Sequence, residues 1–474
     1  MSLAVRKNLT MNCKSNIISV MDKDFILENV ADLSAEQLVE VIQQGIVTLD
    51  ELKDTDELDA TKRRTIKSIL SQQEQVIENA WEQVKNGTED QLSEFIAKYP
   101  SSSHVKEAEE AIARLRRQKE NQQYNHQLIL ERIKTNPNTF SPIEIQNFLE
   151  NGTISRSELI EVCGIPDSAI NNLGSIVSPM LQLGKTPDSI PEGFTEVYFW
   201  GSPGSGKTCA LGALLQMADY RRCLCIASGP GSHYAVQLKN IFSHDNQAND
   251  FLPPPSPLDT TQYLPFTLQK PGEKKKRSVS LIELSGEIFD CFFYKFHNLS
   301  LPTEAHEKTF DSLKKFLSSP NKKVHFFFIE AGRDNRKDGL GVKREDYLQA
   351  AASYLNKMFN KTSDAIYVVL TKCDLLLDEN GNSVPEERSK QIEYSKKFLD
   401  AQGYGSFIES LKSICRENSI NGGRLTLEPF SLGKVYFQQI CNFDGKYADR
   451  LLDILMERIP ATSSKTSIFD FFNA

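Results

Sequence analysis

Residues 201–208 read G-x-x-x-x-G-K-T, and this stretch constrains the fold of the chain more than any other. The apolar run 196–200 before it predicts a buried strand, and the run 209–217 after it predicts a helix. Glycines let the loop between them curl tightly, so that backbone N–H groups point at phosphate oxygens beside a helix N-terminus. The predicted phosphate-binding positions are Gly201, Ser202, Pro203, Gly204, Ser205, Gly206, Lys207, Thr208 and Cys209.

Two side chains at the end of this loop carry chemistry. We expect the Lys207 ammonium to reach the β- and γ-phosphates of a nucleotide and the Thr208 hydroxyl to ligate Mg²⁺. Lys207 is also a candidate catalytic residue, because its charge would stabilise phosphoryl transfer. The alternative is a glycine-rich turn that binds nothing. It is disfavoured because the strand, the Lys-Thr pair and the helix occur in the required order.

Composition excludes several other classes of protein. At 474 residues the chain is too long for one core, and we expect two or three domains. The net charge of −8 argues against general nucleic-acid binding, which usually shows a basic surplus. The nine cysteines include no C-x-x-C pair and favour a reducing cytoplasm over a disulfide framework or a metal site. No apolar run reaches the roughly 18 residues of a membrane span.

Residues 1–185 are rich in Glu, Gln, Lys and Leu and predict an all-α region of helical hairpins. Within it, residues 34–52 align without a gap on residues 141–159. In each copy a Ser N-cap begins a helix and a glycine ends it. A Thr or Ser with Glu three residues later then forms a capping box for a second helix. Each copy is therefore predicted to be a short helical hairpin.

Residues 79–115 predict a hairpin of another type, with a break at Tyr99 and Pro100. It resembles weakly the hairpins of tetratricopeptide-like repeats, which bind protein partners or stack as solenoids. A helical spacer that only packs on the next domain is an equal alternative. The proline-containing stretch 175–192 predicts a linker, which divides the chain into a helical region and a second domain over residues 193–474.

In this second domain apolar runs alternate with amphipathic ones. That pattern predicts an α/β fold with flanking helices and a mostly parallel six-stranded sheet. The six predicted strands cover residues 197–200, 263–269, 279–284, 324–329, 366–370 and 425–430. Three short motifs follow or end predicted strands. They are Glu-Leu-Ser-Gly at 283–286, Thr-Lys-Cys-Asp at 371–374 and Ser-Leu at 431–432.

Together with the phosphate loop, these motifs resemble the D-x-x-G, N/T-K-x-D and S-A-K-type motifs of TRAFAC-class P-loop GTPases. The resemblance implies binding of GTP and GDP with Mg²⁺. It implies that Asp374 accepts two hydrogen bonds from guanine, which adenine cannot offer, and that the Lys372 stem covers the base. Thr371 belongs to the same motif, and Ser431 and Leu432 occupy the position of the loop that touches the guanine carbonyl.

The resemblance also implies a metal and a water site. Glu283, in place of the usual Asp, would reach Mg²⁺ through a water, and Gly286 would approach the γ-phosphate. Glu287 falls where the family places a glutamine that orients the attacking water, so it is a candidate catalytic residue whose charge could slow hydrolysis. The first switch would be the loop 251–261. In it Thr260 or Thr261 would supply a second hydroxyl to Mg²⁺, with a slight preference for Thr261.

The sequence therefore predicts a cytoplasmic GTPase whose N-terminal helical region binds a protein partner. An ATPase with the same phosphate chemistry is one alternative, and a nucleotide-gated or catalytically weak scaffold protein is another. The oligomeric state, the activating partner and the pathway stay open.

Overall fold

In the computed structural model, the described residues are 22–55, 57–173, 187, 189–226, 231–242, 250–253, 261–332, 335, 337, 341–358 and 363–462. The chain divides into two compact units, residues 1–127 and 128–474. The division falls inside one long helix rather than at the predicted linker, which lies mostly outside the described residues. The functional division at residues 185–193 stays a prediction.

The first unit is entirely helical where it is described. Its helices are α1 (Lys23–Glu28), α2 (Ala35–Gln43), α3 (Leu49–Lys53), α4 (Ala60–Val84), α5 (Glu89–Lys98) and the first part of α6 (Val105–Thr135). Two small apolar cores hold these helices together. One joins α1–α3 to the start of α4, and the other surrounds Trp81, whose ring lies 5.3 Å from that of Phe95.

Both copies of the aligned sequence form two short helices. In the second unit these are α7 (Pro142–Glu150) and α8 (Arg156–Glu161), followed by α9 (Asp167–Asn171). The capping boxes predicted for α3 and α8 are present, and the Ser N-caps predicted for α2 and α7 form capping boxes as well. Local hydrogen bonding of the cap residues therefore fixes where each helix begins.

A seven-stranded sheet forms the centre of the second unit. Its strands are β1 (Thr195–Trp200), β2 (Leu224–Cys225), β4 (Thr261–Leu268), β5 (Arg277–Leu284), β6 (Lys322–Glu330), β7 (Ser363–Thr371) and β8 (Thr426–Phe430). The spatial order is β2-β4-β5-β1-β6-β7-β8. The last five strands are parallel, and β4 pairs antiparallel with both of its neighbours, β5 and β2. The predicted count of six strands was wrong, because the two residues of β2 are too few to show alternation.

Helices cover both faces of this sheet, which explains why its central strands are buried on every residue. One face packs on α10 (Lys207–Tyr220), α11 (Ser232–Asn240) and α17 (Lys446–Arg458). The other face packs on α12 (Gly286–Phe296), α13 (Glu304–Leu317), α14 (Arg344–Asn356), α15 (Arg388–Ala401) and α16 (Gly405–Glu417). Across the described ranges, every helix is too short or too polar to cross a bilayer.

A second, three-stranded sheet has the order β3-β10-β9, with β3 (Asp250–Phe251), β9 (Gly433–Tyr436) and β10 (Ile440–Phe443). The turn between β9 and β10 packs into an apolar cluster with α7, α8 and α9. The second helical hairpin is therefore part of the compact unit that contains the large sheet.

The five parallel strands direct all their C-terminal ends to one edge of the sheet. Ligands of such sheets bind outside these ends, where neighbouring connections diverge to opposite sides. β1 is the middle strand of the seven-stranded sheet and lies between β5 and β6. The segments that follow β1, β5, β7 and β8 are the phosphate loop and the three short motifs, so the topology gathers the predicted site residues at this edge.

Candidate functional site

The phosphate loop connects β1 to α10, and α10 begins at Lys207. Gly206 caps the helix in the left-handed region, with a φ of 86° that a residue with a side chain rarely adopts. A Cβ at Gly206 would also lie 3.3 Å from the Thr371 methyl carbon. Glycine is therefore required here both by the backbone turn and by the close approach of β7.

Lys207 is buried at the start of α10 and folds back over the loop. Its ammonium donates hydrogen bonds to the carbonyl oxygens of Gly201, at 2.7 Å, and Ser202, at 3.2 Å. Burial lowers the pKa of Lys207 to about 8. The nearby carboxylates of Glu283 and Asp290 attract the ammonium and so oppose this effect. The loop thus holds a desolvated cation that an anion would stabilise.

Thr208 and Glu283 lie in direct contact. The Thr208 hydroxyl donates a hydrogen bond to one oxygen of the buried Glu283 carboxylate, and the Tyr234 hydroxyl donates to the other at 2.8 Å. Hydroxyl and carboxylate oxygens are the ligands that Mg²⁺ prefers. Thr208 could therefore hold a magnesium ion directly and Glu283 could hold it through a water, although in this structure the Glu283 carboxylate accepts hydrogen bonds from two hydroxyls.

Gly286 brings the Glu-Leu-Ser-Gly motif against the phosphate loop. A Cβ at this position would lie 2.2 Å from the backbone nitrogen of Pro203, so only glycine fits without displacement. Ser285 caps α12 by accepting a hydrogen bond from the Ile288 N–H. The first turn of α12 is thereby fixed beside the loop.

The structure does not join every predicted residue to this group. The contact found for Glu287 is with α13, where its carboxylate lies 3.5 Å from Nε2 of His306. Thr261 begins β4 opposite Leu284, and strand alternation directs its side chain to the sheet face opposite that of Glu283. Its buried hydroxyl has no hydrogen-bond partner among the described residues. Thr260 lies outside them.

The Thr-Lys-Cys-Asp motif lies at the end of β7. The Thr371 hydroxyl donates to the Ser205 carbonyl at 3.0 Å and so ties this motif to the phosphate loop. Lys372 has a positive φ of 55°, and its ammonium pairs with the Glu330 carboxylate at the end of β6. Burial raises the pKa of Asp374, and the hydrogen bond from Ser431 opposes that effect.

Ser431 and Leu432 follow β8. The Ser431 hydroxyl donates to Oδ1 of Asp374 at 2.5 Å and accepts from the Gly433 N–H at 3.0 Å. The Leu432 carbonyl accepts from the Asp444 N–H at 2.7 Å, which anchors this loop to the start of α17. The second and third motifs are thus joined by one side-chain hydrogen bond, as members of a common site would be.

A cavity of about 500 Å³, here called the base cavity, connects these motifs with the helix that follows the phosphate loop. This volume lies within the usual range for small-molecule sites, roughly 300–1,000 Å³. Its lining includes Gly206, Cys209, Thr371, Lys372, Asp374, Ser431 and Leu432. Burial raises the pKa of Cys209 to about 12, so the thiol that lines the cavity is uncharged at neutral pH.

Sequence reasoning missed several residues of this region, and four of them bear on the argument. Tyr234 and Asp290 act on Glu283 and Lys207 from α11 and α12, and Asn138 and Gln438 line the base cavity. Asp290 could have been found, since it follows Gly286 by one helical turn. Tyr234, Asn138 and Gln438 carry no signal in the sequence, because only the tertiary fold brings them here.

The sheet topology and the phosphate loop define an α/β P-loop fold. No protein-family model and no curated protein matches the chain. Among solved structures, it is similar to a nucleolar GTP-binding protein 1 from Plasmodium falciparum, at 11% identity and a TM-score of 0.24, covering 57% of this chain and 90% of the other.

The chain is also similar to the GTPase-like domain of Ski7 from S. cerevisiae, solved with bound GTP. The identity is 16% and the TM-score 0.24, over 58% of this chain and 52% of the other. A protein from Thermus thermophilus shows 16% identity and a TM-score of 0.20, over 58% and 41%. Scores this low carry no argument about function, which rests on the geometry of the site.

Proposed function

We propose that this chain is a Mg²⁺-dependent guanine-nucleotide-binding protein that hydrolyses GTP to GDP and phosphate. The observation that carries the proposal is the pairing of Asp374 with Ser431 in the base cavity. A carboxylate in this position can accept from both the N1–H and the exocyclic amine of guanine. Adenine presents an acceptor at N1, so the same carboxylate would be left with an unpaired charge.

The phosphates would occupy the other end of the site. Loop N–H groups and the Lys207 ammonium would bind the β- and γ-phosphates, and Lys207 would exchange its two carbonyl contacts for phosphate oxygens. Thr208 and Glu283 would hold Mg²⁺, the metal that neutralises charge on the phosphates. Most of the rate enhancement would come from this positioning and charge stabilisation.

We propose slow turnover. Glu287 is the candidate for orienting the attacking water, and its contact with His306 would have to be exchanged for one with that water. This contact and the two hydroxyls on Glu283 favour the second candidate function, a nucleotide-gated scaffold protein with weak or no hydrolysis. An ATPase lacks a comparable supporting observation.

The helical region would bind a protein partner and pass on the nucleotide state, as a switch or assembly factor. What supports this is that residues 22–127 have cores of their own and expose Phe25, Val76 and Tyr124. A cytoplasmic location belongs to the same proposal and rests on cysteine chemistry. All eight cysteines in the described part of the chain are free thiols.

Calorimetric titration with GDP, GTPγS and ATPγS in Mg²⁺ tests the proposal. We expect guanine-selective binding, its loss in Asp374→Ala, and loss of all nucleotide binding in Lys207→Ala. Asp400→Ala is the matched control, since Asp400 is an exposed carboxylate on α15 that does not line the base cavity. Equal binding of ATPγS would reassign the protein to the ATPases. Guanine-selective binding without release of phosphate from GTP would favour the second candidate function, a nucleotide-gated scaffold protein.

A further inference from the structure

One wall of the base cavity comes from the helical part of the chain. The turn after α6 consists of Asn136 and the 3₁₀ segment Pro137–Thr139 that it caps, and it contributes Asn136 and Asn138 to the cavity lining. The cavity is also lined by Gln438 and Val435 of the β9–β10 hairpin and by Leu252, which follows β3. The helical turn and the base-recognition residue Asp374 thus line the same cavity.

Hydrogen bonds attach this turn to the β9–β10 hairpin. Oδ1 of Asn138 accepts from the Gln438 N–H at 2.8 Å, and the Asn138 carbonyl accepts from the Gln438 side-chain amide at 3.1 Å. The Pro137 carbonyl accepts from the Phe437 N–H at 3.2 Å. Three bonds between segments 300 residues apart therefore hold the tip of the hairpin.

The hairpin tip depends on this support. Phe437 and Gln438 have positive φ values of 52° and 65°, as the central residues of a tight hairpin turn require, yet neither is glycine. The surroundings must therefore hold the turn in place. Phe437 is completely buried in the apolar cluster with Ile145, Leu159 and Ile170 of α7–α9.

The hairpin in turn touches two parts of the nucleotide site. β9 begins directly after Ser431 and Leu432, and β10 pairs with β3. The Leu252 N–H donates to the Gln439 carbonyl at 2.7 Å, at the start of the predicted first switch, most of which lies outside the described residues. We therefore expect any movement of the hairpin to move both the loop at Ser431 and Leu432 and the segment at Leu252.

From these contacts we infer that Asn138 is a positioning residue for the nucleotide base and that the α7–α9 segment senses whether the base is bound. This inference rests on the proposed function. A base in the cavity fixes Ser431, Leu432 and the hairpin, and the fixed hairpin holds Asn138 and α7–α9. Since coupling between two sites is reciprocal, loosening Asn138 weakens binding of a nucleotide but not of a phosphate group alone.

Hydrogen exchange of the full chain with GDP, with pyrophosphate and without ligand tests the sensing. GDP should slow exchange of amides in residues 136–173 and 433–443, and pyrophosphate should not, because it fills only the phosphate end. Two results would overturn the inference and leave the proposed function intact. In the first, GDP and pyrophosphate slow exchange equally. In the second, GDP has no effect on exchange although calorimetry shows that it is bound. If the wild-type chain binds no nucleotide, both the inference and the proposed function are wrong.

Variants test the positioning role. Asn138→Ala should weaken GDP binding about tenfold, a coupling of ordinary size, and leave pyrophosphate binding unchanged. Asn138→Asp keeps the Oδ1 acceptor and should restore GDP affinity, which a loss of fold could not explain. Asn147→Ala, on the exposed face of α7, is the matched control. GDP affinity that is equal in Asn138→Ala and wild type would contradict the assignment.

Discussion

The phosphate end and the base end of the site are built in opposite ways. The phosphate end is one continuous stretch, 201–209, to which β5 and α12 add Glu283 and Gly286. The base end collects residues from five distant segments, around 136–138, 252, 330–332, 371–375 and 430–438. The proposed phosphate end is therefore specified by a local motif, whereas the base cavity is lined by segments that only the tertiary fold brings together.

This difference predicts how each end responds to a small change. At the phosphate end a single methyl group should be costly: Gly286→Ala places a Cβ 2.2 Å from the Pro203 nitrogen. We expect the free energy of unfolding to fall by about 2 kcal/mol, the usual cost of overpacking a rigid site. Denaturant unfolding measures the change.

Gly405→Ala is the control for this substitution. Gly405 begins α16, and a Cβ there would meet nothing within 4 Å. We expect this variant to be unchanged or slightly more stable, because alanine favours a helix. Equal stability of the two variants would show that α12 moves freely away from the phosphate loop.

The same contrast explains what could be predicted from the sequence. The phosphate loop, the strand before it and the helix after it follow from glycine spacing and apolar runs, and all six predicted strands occur. The seventh, β2, was missed because two residues cannot show a period. Asn138 and Gln438 were missed because their proximity depends on packing of Phe437 against α7–α9, to which no local pattern corresponds.

The buried charge of the phosphate end predicts a pH dependence. Burial lowers the pKa of Lys207 to about 8, and bound phosphate should raise it again. Below pH 8 the amine is already charged, so affinity for GDP should be constant. Above pH 8 binding must take up a proton, and affinity should fall by up to about tenfold per pH unit.

Calorimetry at pH 8.5 in two buffers of different ionisation enthalpy measures the proton uptake directly. We expect more than half a proton per GDP at this pH and close to none at pH 7. Glu283 and Asp290 are the neighbouring carboxylates, and their attraction for the ammonium opposes the effect of burial on the pKa of Lys207. Affinity that is independent of pH would show that Lys207 keeps an ordinary pKa.

Substitutions at the base end should have smaller effects than those at the phosphate end. They should weaken the binding of nucleotides but not of pyrophosphate. Ser431→Ala removes the hydrogen bond to Asp374, which we expect to weaken GDP binding about fivefold, because a typical hydrogen bond contributes about 1 kcal/mol. Pyrophosphate binding should not change. Because that hydrogen bond lowers the pKa of Asp374, its loss raises the pKa further.

A protonated Asp374 cannot accept both guanine hydrogen bonds, so the defect of Ser431→Ala should be larger at pH 5.5 than at pH 7.5. Ser413→Ala on α16 provides a matched control, since its hydroxyl donates a hydrogen bond to Glu417 at the surface. An equal loss of GDP and pyrophosphate affinity would mean that Ser431 supports the loop as a whole. The two ends of the site would then be one cooperative structure.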